Sequence, residues 1–518
     1  MRAAALSAAA ATAAVVAYLY HRRRRAVLAP LRSAAVEWHA SSSEDASPAE
    51  WLETAASQLD LAVDSAAFAA ALDETDPLRP HRAKFHIPST TPTYLCGNSL
   101  GLMPRATSEA VGDELRKWAA SGVEGHFTGA LPWATCEEVL PALMADAVGA
   151  RDATLEVAAM NSLTVNIHLL MAAFYRPTPG RAAILMEAGA FPSDRCAMVS
   201  QIQHHGFDPA VELIEVQPDP ADGLLHADAV CAAIEAHWER LACIMIGGVN
   251  YLTGQVLDMG AIAARVRALN AASASKRPPV PLGLDLAHAV GNVPLSLHEW
   301  GVDFASWCTY KYLNAGAGCL SAIYVHESHA DDAPTYPRLT GWWGVPISHR
   351  FKMAPGATLA RGAAGFGCSN VNPLMAACLQ QSLLALQAAG GVRATRRKSL
   401  LLTSYLELLL KLRGLTEPCT GTGAADGGPQ RRCGVQVVTP ADVTRRGCQL
   451  SLRVLAADGP LGKPPSMRAL EEALRKRGVS TDAREPDIVR VSPAPLYNSF
   501  ADALACVEAL RAALVELA

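Results

Sequence analysis

The chain has 518 residues, half of them hydrophobic and 18% charged, with a formal net charge of −4. This composition excludes a disordered chain, and the lack of a basic excess argues against a nucleic-acid partner. Its 13 cysteines include no C-x-x-C pair, which points to a reducing compartment where thiols serve as small core residues.

Residues 3–20 are almost continuously apolar and Ala-rich; His21 and Arg22–Arg25 follow, and no acidic residue precedes Glu37. As a helix this run would span about 27 Å, just short of the bilayer core. Three readings of the extension 1–35 stay open. It is a membrane anchor leaving the rest of the chain cytoplasmic, a mitochondrial targeting segment, or an extension without function. A cleaved secretory signal fits poorly, because it would place unpatterned cysteines in an oxidising space.

Residues 36–97 read as a helical segment joining a small C-terminal domain, with loops near Ser41–Pro48 and Pro77–Pro92. From 98 to 390 strand and helix patterns alternate. Candidate strands are Ala182–Met186, Ala242–Ile246, Pro281–Asp285 and Phe304–Cys308. The alternation predicts an α/β domain on a mostly parallel sheet. Leu383–Leu412 reads as helix broken at Gly390-Gly391, and 391–518 as a small α+β domain. That domain holds a flexible Gly-rich loop at 415–432, strands at Val435–Val438, Gln449–Val454 and Ile488–Val491, and a helix near Ser466–Arg477. The last helix starts at Asn498 or Ser499, with Leu504, Val507, Leu510, Leu514 and Leu517 on one stripe.

Two residues carry the chemistry. Asp285 ends one apolar run and Lys311 follows the next. A carboxylate at one strand end and an amine just beyond the neighbouring strand suit pyridoxal 5'-phosphate (PLP). The acid keeps the pyridine nitrogen protonated, and the lysine forms a Schiff base with the aldehyde. Other patterns carry less. Gly421–Gly427 mimics a dinucleotide fingerprint without a flanking strand or helix, and His326 with His329 lacks a third metal ligand, so no metal is expected.

Neighbouring residues extend the pattern. His288 falls one turn beyond Asp285 and either supports it or caps the turn. Tyr310 precedes Lys311 and is either a proton donor or a packed aromatic. Leu163 and Thr164 open an apolar helix, whose free N–H groups suit a phosphate. In Ala190–Asp194, Phe191 suits stacking on a flat ring and Asp194 its polar edge, or the segment is a rigid turn. Trp342 lies in a Gly-flanked aromatic pair that suits a ligand or another subunit, and Asn370 in a second Gly-flanked loop. Ser99 lies in a polar turn, His126 in an exposed loop, and Arg490 on a strand where a guanidinium captures a carboxylate or joins an ion pair.

From about Tyr94 to Phe500 the chain closely resembles the kynureninase family of the fold-type-I PLP-dependent enzymes. The resemblance rests on YLCGNSLGLMPR (94–105), NSLTVNIHLLM (161–171), AFPSD (190–194), DLAHAVGNVPLSLHEWGVDFASWCTYKYLNAGAG (285–318), GWWG (341–344) and RVSPAPLYNSF (490–500). It implies that Lys311 holds PLP and that Asp285 pairs with the pyridine nitrogen. His288 and Asp194 would lie beside the ring, Phe191 would stack on it, and Pro192 and Ser193 would complete the turn. Leu163, Thr164 and Tyr310 would hold the phosphate. Trp342 and Asn370 would come from a partner subunit, which implies a homodimer with shared sites. Ser99, His126, Asn370 and Arg490 resemble substrate-contacting positions, Arg490 at the α-carboxylate.

The implied reaction is hydrolysis of L-kynurenine to anthranilate and L-alanine, or of 3-hydroxy-L-kynurenine to 3-hydroxyanthranilate and L-alanine. Lys311 would be the base and Tyr310 the last proton donor. This places the chain in tryptophan catabolism and NAD biosynthesis. Where some relatives carry a serine, this chain has Gly247, left with a backbone contact to the cofactor. Two rivals remain: a desulfurase-like lyase using Cys308 or Cys368, although the desulfurase motif is absent, and a membrane-anchored interaction protein without activity.

Overall fold

A computed structural model describes residues 28–40, 47–332, 335–353, 356, 358–416, 434–455 and 466–517. The apolar run 3–20, Arg22–Arg25, the Gly421–Gly427 pattern and nearly all of the 415–432 loop lie outside these residues. No helix among the described residues is long and apolar enough to cross a membrane.

Strand β1 is the short Thr93–Tyr94. Seven strands then build the large sheet: β2 Val157–Met160, β3 Ala183–Glu187, β4 Leu213–Val216, β5 Leu241–Gly247, β6 Leu282–Asp285, β7 Phe304–Cys308 and β8 Ser321–Val325. The C-terminal part adds β9 Gly434–Val437, β10 Leu450–Leu455, β11 Val479–Ser480, β12 Asp482–Arg484 and β13 Ile488–Val491.

The large sheet runs β2-β8-β7-β6-β5-β3-β4. The pairs β4–β3, β3–β5, β5–β6 and β6–β7 are parallel, while β8 is antiparallel to both β7 and β2. Helices cover both faces of such a sheet, so its strands read as unbroken apolar runs. Leu241–Ile246 and Phe304–Cys308 are buried throughout, which is why they are legible in the sequence. From β3 the chain moves outward to β4, then returns to place β5 on β3's other side. The crevice at the carboxyl ends of β3 and β5 is therefore a topological switch point, where open α/β sheets bind ligands.

A second core gathers the N-terminal helices and the small domain, with Leu52, Phe68, Tyr405, Leu409, Leu452, Val489 and Val507 buried together. The helices Pro48–Gln58 and Ala66–Thr75 are capped by the side chains of Ser47 and Ser65. Asp76 and Lys398 form a 2.8 Å ion pair, both almost wholly buried, that ties this segment to the helix Gly391–Leu412. The small sheet runs β12-β13-β10-β9, all antiparallel. β1 pairs in parallel with β11, which brings the turn after Tyr94 against the small domain. The final helix, Phe500–Glu516, opens on a capping box between Ser499 and Asp502, with Val507, Leu510 and Leu514 buried.

Candidate active site

The carboxyl ends of β3, β5 and β6 line up. Gly247 is in register with Asp285, and Glu187 ends the strand beside them. Above this row lies a cavity of about 380 Å³, lined by Asn98, Ser99, Leu163, Thr164, Glu187, Phe191, Ser193, Asp194, Gly247, Asp285, His288, Tyr310, Lys311, Arg484 and Arg490, among others. Lys311 and Asp285 thus face one space.

Asp285 is buried, and its Oδ1 accepts a 2.7 Å bond from the Ala287 N–H, which fixes the carboxylate at the strand end. Asp194 donates to it: burial, and then the Asp285 carboxylate, push the Asp194 acid well above its ordinary range. Burial raises Asp285 too, against the Ala287 N–H and Asp194, which pull it down. Burial disfavours two negative charges side by side, so both acids are raised as a coupled pair, Asp194 the further. Lys311 Nζ is 2.9 Å from His288 Nε2. Burial, Lys311, Arg490 and Arg484 depress His288 well below the usual imidazole range, so the ring is neutral and accepts from Nζ. Its proton then sits on Nδ1, which is buried without a partner. Tyr310 lies beside Lys311, with Nζ 5.9 Å from its ring centre, and burial keeps its phenol protonated.

Another side of the cavity is built by β2 and the helix after it, whose start suits a phosphate. Asn161 takes a left-handed φ of 48°, and its amide bonds Asn166, which in turn bonds Met160 O. The helix Leu163–Phe174 opens on Ser162, whose side chain makes no capping bond, so the first N–H groups stay free. Thr164 Oγ1 and Ser193 Oγ share a 2.7 Å bond at this mouth. Phe191 is 48% exposed and meets Tyr251 edge-to-face at 5.3 Å, leaving its face open for a flat ligand. Pro192 starts the helix Pro192–His204 and sets its direction without lining the cavity.

The remaining expected residues lie elsewhere. His126, Trp342 and Asn370 line a second cavity of about 430 Å³ with Val123, Phe127, Trp343, Phe351, Cys368 and Ser369. Trp342 Nε1 donates to Arg350 O at 2.8 Å, and its ring packs edge-on against Phe351. His126 Nδ1 donates to Val123 O at 3.0 Å. His126 thus stands with Trp342 and Asn370, not with Ser99 and Arg490. The Gly247 N–H is already engaged: both Glu187 oxygens accept from it at 3.1 Å.

Sequence reasoning misses Glu187, Asp482 and Arg484. Glu187 is a polar residue at the end of an apolar strand, the same signal that singles out Asp285. It escapes notice when the strand is ended one residue early, at Met186. Cys308 is buried beneath the site, with its Sγ 4.0 Å from Ala287 O, and Cys368 lies in the second cavity. Neither sits on a mobile loop over Lys311, as a desulfurase cysteine should.

Fold and site define an α/β enzyme of fold type I. The structure resembles the Escherichia coli cysteine desulfurase CsdA, with a TM-score of 0.64 at 17% identity, covering 85% of this chain and 99% of that one. It also resembles a lysine-to-alanine mutant of C-DES with glycine covalently linked to its PLP cofactor, with a TM-score of 0.62 at 17% identity over 84% of this chain and 99% of that one. Residues 395–510 match the family model described as the kynureninase C-terminal domain. A kynureninase of Xanthomonas campestris pv. campestris (strain B100) is 48% identical over 447 residues, 86% of this chain and 97% of its own length. One from Stenotrophomonas maltophilia (strain K279a) is 46% identical over the same shares. The chain belongs to the kynureninase family.

Proposed function

We propose that this protein hydrolyses L-kynurenine to anthranilate and L-alanine, and 3-hydroxy-L-kynurenine to 3-hydroxyanthranilate and L-alanine, with PLP held by Lys311. The observation that carries this reading is Lys311, Asp285 and the uncapped helix mouth at Leu163–Thr164 facing one cavity. Those groups match an aldehyde, a pyridine nitrogen and a phosphate. When bound, PLP supplies a sink for the electron pairs released at the substrate's Cα and Cβ.

The chain's own residues do the rest. Asp285, hydrogen-bonded to Asp194, offers its carboxylate to the pyridinium. Phe191 covers one face of the ring. Leu163 and Thr164 N–H groups, Ser193 and Tyr310 hold the phosphate. Arg490 and Ser99 hold the substrate α-carboxylate. Lys311 Nζ, kept in place by neutral His288, removes the Cα proton. Water adds to the substrate's Cγ carbonyl, the Cβ–Cγ bond breaks and anthranilate leaves; the protonated Tyr310 hydroxyl then gives a proton to Cβ of the remaining alanine unit.

The second cavity supports a homodimer. Val123 is 71% exposed, Phe127 58% and Trp342 43%, an apolar cluster of the kind a partner subunit covers. In that dimer His126, Trp342 and Asn370 enter the neighbouring site, where His126 faces the substrate's aromatic ring. The large domain spans 98–390 and the small one 391–518 with the helical segment 36–97, and the catalytic part is cytoplasmic. The extension 1–35 is an anchor, a mitochondrial targeting segment that would move the catalytic part into that compartment, or an extension without function.

The test is a direct assay of both kynurenines together with borohydride reduction. Wild type should turn over, be yellow and carry reduced cofactor on Lys311. Lys311→Ala should not turn over and should carry no cofactor fixed at position 311. Anthranilate release by that variant at the wild-type rate would refute the assignment.

A further inference from the structure

The strands β12 and β13 carry a charged cluster beyond Arg490. Asp482 and Arg490 are cross-strand partners, and Arg484 lies two residues along β12, on the same face. Arg490 is 2% exposed. It donates through Nη1 to Tyr251 O at 2.8 Å, and through Nη2 to Ser99 Oγ at 2.9 Å and to Asp482 Oδ2. Arg484 Nη2 donates to the same Asp482 Oδ2 at 3.0 Å and to Ser99 Oγ at 3.4 Å. The Ser99 hydroxyl also donates to that oxygen. One carboxylate oxygen thus gathers two guanidinium groups and a hydroxyl.

Two features separate this cluster from an ordinary ion pair. Both arginines line the cavity that holds Lys311, and both keep a buried Nε without a partner. Two cations also face one anion, so one positive charge is left over, beside a neutral His288. That excess suits one incoming carboxylate. The Arg484 side chain is 40% exposed, whereas that of Arg490 is 2% exposed.

We propose that Arg484 is a second carboxylate-recognition residue for this reaction, with Asp482 as the positioning residue that holds both guanidinium groups ready until the substrate's α-carboxylate replaces it on Arg484. The inference rests on the reading of Arg490 as the carboxylate anchor and adds a partner to it. Asp482 stands in for the substrate's carboxylate on both arginines. It keeps both arginines paired, and it makes simple anions poor competitors.

The experiment uses the full-length holoenzyme and compares Arg484→Gln, Asp482→Asn and Arg490→Ala. For Arg484→Gln, KM for L-kynurenine should rise on the order of tenfold, with kcat within about twofold and the cofactor absorbance unchanged. Inhibition by ortho-aminoacetophenone, which has the aryl ketone but no carboxylate, should not change. For Asp482→Asn, chloride should inhibit at concentrations several-fold below those needed for wild type, because the guanidinium groups lose their counter-charge; Asp482→Glu should restore the wild-type value. An unchanged KM in Arg484→Gln, or an equal loss of ortho-aminoacetophenone binding, overturns the role of Arg484. Unchanged chloride inhibition in Asp482→Asn overturns that of Asp482. If Arg490→Ala itself leaves KM unaltered, the carboxylate subsite is wrong altogether. If Arg490→Ala raises KM while Arg484→Gln does not, only the second cation falls.

Discussion

Glu187 closes both carboxylate oxygens on the Gly247 N–H, each at 3.1 Å, in the space a side chain at 247 would claim. A Cβ on Gly247 would lie 2.7 Å from Glu187 Oε1, so the carboxylate would have to shift. The bare strand end thus lets a third acid join Asp194 and Asp285 at the sheet's switch point.

This acid should make the cofactor-free protein sensitive to pH. Burial pushes Glu187 up to about 7 from an ordinary 4.5. Between those values the folded chain keeps a proton that the unfolded chain has released. Stability therefore falls as pH rises through the window, by on the order of 3 kcal/mol, and levels off above it. Urea midpoints of Glu187→Gln should lack this share of the decline and exceed wild type at about pH 8. Parallel curves for the two proteins would show that Glu187 ionises normally.

His288 should act in the opposite sense. Its imidazole is depressed in the folded state, so below about pH 6.5 the unfolded chain takes up a proton that the folded chain refuses. Acidification below that point costs the cofactor-free wild type stability that His288→Gln retains. The same variant should still bind cofactor, while its kcat drops by roughly one to two orders of magnitude, because Nζ loses its acceptor. A kcat equal to wild type would detach His288 from Lys311.

Removing the hydroxyl at the helix mouth should loosen the cofactor rather than slow the reaction. Thr164→Val deletes the partner of Ser193 while keeping the backbone N–H groups. Its cofactor Kd, read by fluorescence quenching, should rise about tenfold, with kcat at saturating cofactor within about twofold. A large kcat defect at saturation would place Thr164 near the reacting carbons instead.

Shared sites predict complementation. Lys311→Ala and Trp342→Ala homodimers should each be inactive or nearly so. After denaturation and refolding together in equal amounts, half the dimers are mixed and each has one intact site, so activity should recover to about a quarter of wild type. Recovery to no more than the average of the two parents would mean that each chain completes its own site.

The parts of the fold legible in the sequence are those where burial on both faces forces an apolar run. Strands β5, β6 and β7 are readable for that reason, and Asp285 and Lys311 with them. The strand β2, Val157–Met160, is Ala-rich and directly follows a short helix, so it carries little strand signal. The edge strand β4 is only half buried, and β8 lies behind a Gly-rich turn. In the small domain β13 is readable but β12 is not, since three residues interrupted soon by Pro486 show no alternation. Missing β12 hides Asp482 and Arg484. The second cavity is legible only as isolated aromatic and polar loops, because its lining comes from separate segments near 126, 342 and 370 that share no periodic pattern.

Arg484 and Arg490, on strands of the small C-terminal sheet, line one cavity with Lys311 and Asp285 of the large sheet's end. In the proposed reaction the amino-acid head of the substrate is then gripped by one lobe while its bond-breaking centre is presented to the other. Such a ligand works as a rivet and a gauge at once. It fastens the halves only when the span from its carboxylate to its reactive carbon equals the gap, so compounds one methylene longer or shorter should fail to pin the lobes together even where their charges are right.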